Sequence, residues 1–252
     1  MSSEKNVLSL RKIVIIGVLG AISIVLGMTP IGFIPIGPTR ATIMHIPVII
    51  GAIMEGPVVG GFIGLIFGLF SIYQALTNPT PVSFVFLNPL VSVVPRVLIG
   101  LVSYYVYSTL RNLGNKKVLA LLDLIWLGII GYLIYGIARG IIDFQSSQFL
   151  TIVVNILLLI LTVALAYLTH KKFKEKALDV MISSIAGTLT NTVGVLSMIY
   201  LLYAEKFVAA LGQDVSTARK VIFGIGVTNG IPEAIIAIII VTSVVGALKN
   251  RK

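Results

Sequence analysis

Apolar residues run along this chain in long blocks with no polar stripe, broken by short polar or basic clusters. A helix needs roughly 20 apolar residues to cross a bilayer core. Eight segments meet or approach that length: Ile13 to Met28, Ile43 to Met54, Pro57 to Ala75, Leu90 to Leu110, Val118 to Ala138, Phe149 to Thr169, Leu178 to Tyr203 and Val221 to Leu248. The second is short, and Glu55-Gly56-Pro57 predicts a tight turn into the third, where a first-turn proline has no intrahelical hydrogen bond to lose. The stretch Thr29 to Pro38 carries three prolines and two glycines, which predicts an apolar external loop rather than a helix. Such a loop covers a cavity mouth or a bound ligand, or else lies on lipid headgroups.

Composition turns these segments into a class. The 252 residues are 57% hydrophobic and only 11% charged, with a mean hydropathy of +1.06. That is too little charge for a water-soluble or disordered chain, so the expectation is an all-α integral membrane protein with one transmembrane domain over residues 1–252. The basic N-terminus leads into an apolar run without a small-residue cleavage site, which predicts a retained first helix. The net charge of +10 comes from 19 Lys and Arg against 9 Asp and Glu. These basic residues cluster between apolar runs, the pattern of membrane orientation rather than of nucleic-acid binding. With a cytoplasmic N-terminus, segments 1–12, 111–117, 170–178 and 249–252 lie inside; Arg40, Arg96, Arg139, Lys206, Arg219 and Lys220 are the remainder. Both termini are then cytoplasmic and the number of crossings even.

Several chemistries are excluded. There is no cysteine, and no phosphate-loop, H-E-x-x-H or G-x-S-x-G motif. His45 and His170 belong to opposite predicted faces, so no metal site and no cofactor are expected. The chain is not expected to be an enzyme. A transporter built on it needs an ion gradient or a motor in other subunits.

Polar residues inside the apolar segments are the candidate chemistry. Arg96 lies about 9 Å into the fourth segment and Glu233 about 18 Å into the last, at 1.5 Å per residue. Pro95 and Pro232 precede them, and each frees a backbone carbonyl beside a charge. Intramembrane charges and broken helices belong in protein or at a wet cavity. Asn191 and Asn229 each follow a threonine, and His45, Tyr73, Gln74 and Asn88 add hydrogen-bonding groups in the outer half. A mostly apolar pocket with a few placed polar groups suits a small polar solute. Arg96 is the candidate for a carboxylate, which a guanidinium grips with two parallel hydrogen bonds. The asparagines would hold hydroxyl or amide groups, Glu233 would accept from a hydroxyl or orient Arg96, and Tyr73 and Phe86 would form apolar walls. The competing structural readings are an Arg96–Glu233 pair, asparagines that join helices, an interfacial His45, and structural roles for Glu55 and Asp123. Small residues four apart, Gly17 and Ala21 in the first segment and Gly60, Gly64 and Gly68 in the third, predict close helix approach, either internal or to a partner.

The run Thr42-Ile43-Met44-His45-Ile46-Pro47-Val48-Ile49-Ile50-Gly51-Ala52, continuing through Glu55-Gly56-Pro57 to Gly64 and Gly68, resembles the substrate-binding S-components of energy-coupling factor (ECF) vitamin transporters. So do Asn88-Pro89-Leu90 through Pro95-Arg96, Gly187-Thr188-Leu189-Thr190-Asn191-Thr192 and Thr228-Asn229-Gly230-Ile231-Pro232-Glu233-Ala234, and the likeness is strongest to the pantothenate-type subgroup. The resemblance implies a six-helix bundle in a bacterial plasma membrane, with a vitamin site near the outer face. It also implies an ECF T-component and two cytoplasmic ATPases as partners. By the same resemblance, Gly17 and Ala21 occupy the place of the first-helix face that meets the T-component. The whole subunit would topple to release its vitamin, with the Thr29–Pro38 loop as a gate. The core would comprise 12–111 and 179–252, and 112–178 would be an inserted two-span segment that the six-helix pattern lacks.

The preferred expectation is therefore capture of a water-soluble vitamin, pantothenate favoured, with uptake driven by ATP hydrolysis in other subunits. A stand-alone ion-coupled carrier, with Glu233 carrying the proton, is the alternative. A scaffold without a solute fits the glycine stripes but not a buried Arg96 and Glu233.

Overall fold

Prolines set where the helices of this chain begin. Pro47, Pro57, Pro89 and Pro95 all fall in the first turn of a helix, where the fixed φ is already helical and no N–H is missed. The computed structural model describes residues 9–36, 39–142, 149–171 and 175–249. Gly37 and Pro38 of the proline-rich stretch, and the basic residues Lys5, Lys172, Lys174, Arg251 and Lys252, lie outside the described residues.

Helix α1 spans Leu10–Met28. A 3-10 turn at Pro30–Gly32 leads into strands β1 (Phe33–Ile36) and β2 (Thr39–Thr42), antiparallel with Phe33 opposite Thr42 and Ile36 opposite Thr39. Then follow α2 (Ile46–Glu55), α3 (Pro57–Thr77), a 3-10 turn at Ser83–Leu87, α4 (Pro89–Ser92) and α5 (Val94–Leu110). The chain ends with α6 (Asn115–Ile142), α7 (Phe149–Lys171), α8 (Glu175–Ala210) and α9 (Ala218–Lys249). It is an all-α membrane protein whose one departure, among the described residues, is the β1–β2 hairpin.

Two expectations are corrected here. The proline-rich stretch is not simply a loop: its first part is a 3-10 turn and a strand, because Phe33 to Ile36 finds a partner in Thr39 to Thr42. Among the described residues seven helices, not eight, are long and apolar enough to cross a membrane. The exception is α2, whose ten residues span about 15 Å, half of a bilayer core. Arg11 at the start of α1 pairs with Glu55 at the end of α2 at 2.5 Å, so α2 fills the half nearest the start of α1. The hairpin joins the other end of α2: the backbone of Thr42 bonds Glu233 in α9, and His45 at the head of α2 is fully buried. Gly56 makes the turn into α3 at φ 103°, a left-handed conformation that favours glycine.

The glycine stripes resolve into different uses. A Cβ at Gly64 would strike the Arg96 carbonyl, one at Gly68 the backbone at Val93, and Gly60 and Gly100 meet backbone to backbone. The α3 stripe therefore seats α5 against α3. On α1, Gly20 and Gly27 face Ile66, Met44 and Phe70, whereas Gly17 has open space around it and lies with Ala21 on the exposed face. The α6–α7 pair forms its own layer: Leu122, Trp126 and Leu133 of α6 pack with Met181, Ile182, Ile235 and Ile238 of α8 and α9. His170 of α7 bonds Asp123 of α6 at 2.9 Å and ties the two helices of that layer together.

Gly64→Val is expected to lower the thermal unfolding midpoint of the purified protein in detergent, since overpacking a tight contact costs about 1–3 kcal/mol. Gly17→Val, with no neighbour to strike, is expected to leave that midpoint unchanged.

Candidate functional site

The first turn of α5 places Arg96 inside the bundle, 6% exposed. Its position follows from Pro95 in that first turn and from Gly64, which lets α3 touch the Arg96 backbone. One Nη1 hydrogen bond of 2.7 Å goes to the carbonyl of Val91, in α4. The guanidinium faces the rings of Phe67 at 5.3 Å and Phe86 at 5.7 Å from their centroids, a cation–π clasp. Its buried Nε has no hydrogen-bond partner in the protein.

Glu233 is 4% exposed on α9, immediately after Pro232 within the helix. Its carboxylate does not pair with Arg96: among the described residues the ion pairs are Arg11–Glu55 and His170–Asp123. Instead Oε1 accepts from the Thr42 backbone N–H at 2.7 Å and the Thr42 hydroxyl at 3.3 Å. Oε2 accepts from the Thr192 hydroxyl at 3.0 Å. Three hydrogen bonds thus tie the hairpin to α9 and α8 through one carboxylate. Charge-assisted bonds of this kind are about twice as strong as neutral ones.

His45, at the head of α2, is within hydrogen-bond distance of the Thr188 hydroxyl through Nε2 at 3.0 Å, while buried Nδ1 has no partner. Asn191 lies one turn from Thr188 on α8, and Asn229 one turn from Glu233 on α9. Both present a buried Oδ1 without a partner. Arg96 thus lies against Phe86 of the 3-10 turn, with His45 of α2 and Glu233 of α9 in electrostatic reach of its guanidinium, while Asn191 and Asn229 are placed on α8 and α9 one turn from Thr188 and Glu233. Four of them carry hydrogen-bonding atoms that the protein does not satisfy, in a place where each such atom costs roughly 1–3 kcal/mol.

Three other expected residues stand apart. Asn88 caps α4 by accepting from Leu90 N at 2.9 Å and donates to the Tyr203 hydroxyl at 3.1 Å. Gln74 donates to the Gly27 carbonyl at 2.8 Å and fastens α3 to the end of α1. Tyr73 is 58% exposed on the outside of α3. Thr42, Phe67, Thr188 and Thr192 were not expected, although the threonines lie inside the motifs quoted above. No group of three or more His, Cys, Asp or Glu that could hold a metal occurs among the described residues.

The sequence profile of the family described as "ECF transporter, substrate-specific component" matches residues 11–142 and, in a second overlapping stretch, 125–245. The chain belongs to this family. The S-component is also 27% identical over 230 residues to the pantothenic acid transporter PanT of Lactococcus lactis subsp. cremoris, covering 85% of this chain and 81% of that protein. A pantothenate transporter PanT of Leuconostoc mesenteroides is 38% identical over 89 residues, 34% of this chain and 43% of that protein.

In this S-component the Glu233 carboxylate fastens the end of the hairpin to α9 and α8. Glu233→Ala is expected to reduce hydrogen-exchange protection of the Thr42 amide by tenfold or more, since a hydrogen bond to a charged group contributes about 1.5–3 kcal/mol. Amide exchange followed by mass spectrometry reads this directly, with the interior of α3 as an unaffected control.

Proposed function

We propose that this S-component binds pantothenate from the outer side of a bacterial cell membrane and serves as the substrate-specificity subunit of an ECF transporter. The observation that supports this reading most is the set of four buried polar atoms left without a hydrogen bond: Arg96 Nε, His45 Nδ1, Asn191 Oδ1 and Asn229 Oδ1. A cation buried in a membrane bundle without a carboxylate beside it is strongly penalised. A solute carboxylate supplies what Arg96 lacks, and Glu233, already committed to Thr42 and Thr192, does not compete for it. Pantothenate also offers hydroxyls and an amide for the asparagine carbonyls and for His45. Phe67 and Phe86 supply apolar walls on either side of the guanidinium.

The basic ends of the helices support a cytoplasmic placement of both termini, with the hairpin on the outer side. On that orientation the β1–β2 hairpin lies over the solute as a gate. The six-helix core is assigned to 12–111 and 179–252, with α6 and α7 as an inserted pair over 112–178. The exposed Gly17–Ala21 face of α1 would meet the T-component, while two cytoplasmic ATPases supply the energy.

Arg96→Ala is expected to weaken pantothenate binding at least tenfold by calorimetry, because breaking a desolvated pair costs about 2–5 kcal/mol. Unchanged affinity removes Arg96 from the site. In proteoliposomes, uptake is expected only when the T-component and ATPases are present with ATP. Uptake by this chain alone under a pH gradient would establish the ion-coupled carrier instead. Replacing Gly17 and Ala21 by leucine is expected to abolish ATP-driven uptake while leaving calorimetric binding intact.

A further inference from the structure

On the side of α8 and α9 that faces away from α5, a groove of about 740 Å³ runs between the two helices. Its floor is Thr192 and Gly230, its walls are apolar, and its upper end is framed by Tyr200 and Arg219. Leu201 and Phe223 on its rims are each 72% exposed, so it opens sideways rather than into the bundle. Gly226 and Gly230 leave the depression by offering no side chain along α9.

The groove's position can be read from helix rise. Asp179 lies at the end of the bundle that carries Arg111 and Lys249. From Asp179 to Tyr200 along α8 is roughly 32 Å, about one hydrocarbon core plus the start of the interface. Tyr200 and Arg219 thus stand at headgroup level on the hairpin side, where aromatic and basic anchors collect. From Arg219 down to Gly230 is about 16 Å, close to the depth of a single leaflet. Arg219 has no ion-pair partner among the described residues, and the nearby Asp214 carboxylate is engaged with the Ser216 backbone N–H at 2.9 Å.

We propose that this groove is a binding site for one anionic phospholipid of the hairpin-side leaflet, with its phosphate on Arg219 and one acyl chain laid between α8 and α9 down to Thr192. The cation at headgroup height, the apolar body and the one-leaflet length match a lipid and no water-soluble solute. Thr192 gives the site a consequence, since its hydroxyl donates to Glu233. The chain end therefore rests on the residue that helps hold the hairpin fastening, and lipid occupancy and hairpin closure share one side chain.

The test is native mass spectrometry of the full chain released from nanodiscs containing equal phosphatidylglycerol and phosphatidylcholine. The expected result is one retained phosphatidylglycerol per chain, reduced about fivefold in Arg219→Gln and also reduced in Gly226→Phe, which fills the groove. Arg219 is exposed, so its replacement tests the contact without disturbing the core. Equal retention of the two lipids, or undiminished phosphatidylglycerol in Arg219→Gln, overturns the proposal. A wild-type chain that holds no lipid and runs as a dimer lost in Gly226→Phe assigns the groove to a second copy and likewise overturns it. Lipid retention is read without any solute, so the outcome is independent of pantothenate binding.

Discussion

A guanidinium held inside an apolar bundle without a carboxylate against it is the constraint around which this protein is organised. Arg96 is 6% exposed, keeps one carbonyl contact and lies between two aromatic rings. Glu233 acts on it through space but makes no ion pair with it. The aromatic faces and the Val91 carbonyl lower the cost of burial without removing the demand for an anion. The glycines of α3 serve the same end, because any side chain at Gly64 would push the Arg96 backbone out of place. Packing thus holds open an electrostatic deficit in the folded state.

Glu233 is the counterpart, and its arrangement explains why the deficit persists. The nearest arrangement for a buried acid and a buried base is mutual contact, which would quench both. Here the acid is drawn off by a strand: the Thr42 amide and hydroxyl, with Thr192, saturate the carboxylate. The hairpin in turn needs this anchorage. Non-helical backbone at membrane depth is tolerated only when it is buried in protein. The short α2, the hairpin and the Glu233 interactions are one solution to a single problem of depth.

Much of this was legible in the sequence, and the exceptions have identifiable causes. Hydropathy located every long helix, because lipid imposes length and apolarity directly. Arg96, Glu233, Asn191 and Asn229 stood out because polar groups are rare in such segments. The hairpin did not, since Thr42 meets Glu233 across 191 positions and no local rule reports such a partner. Nor did Thr188 and Thr192: a helical threonine ordinarily bonds its own helix, as Thr190 does to Ala186. Asn88 and Gln74 make a helix cap and a tie to α1, partners that no local pattern announces. Without a stripe of apolar contrast, the sequence carries little information about rotation around a helix axis.

The α6–α7 layer leaves and returns at the same end of the bundle. Arg111, where α5 finishes, lies in electrostatic reach of Asp179, near the start of α8. The two chain ends that flank this detour are therefore neighbours in space. A short linker in place of the pair would rejoin α5 to α8 without inverting anything downstream. The detour is a topological parenthesis: it closes where it opened, so α8 sets out in the direction it would have taken straight from α5.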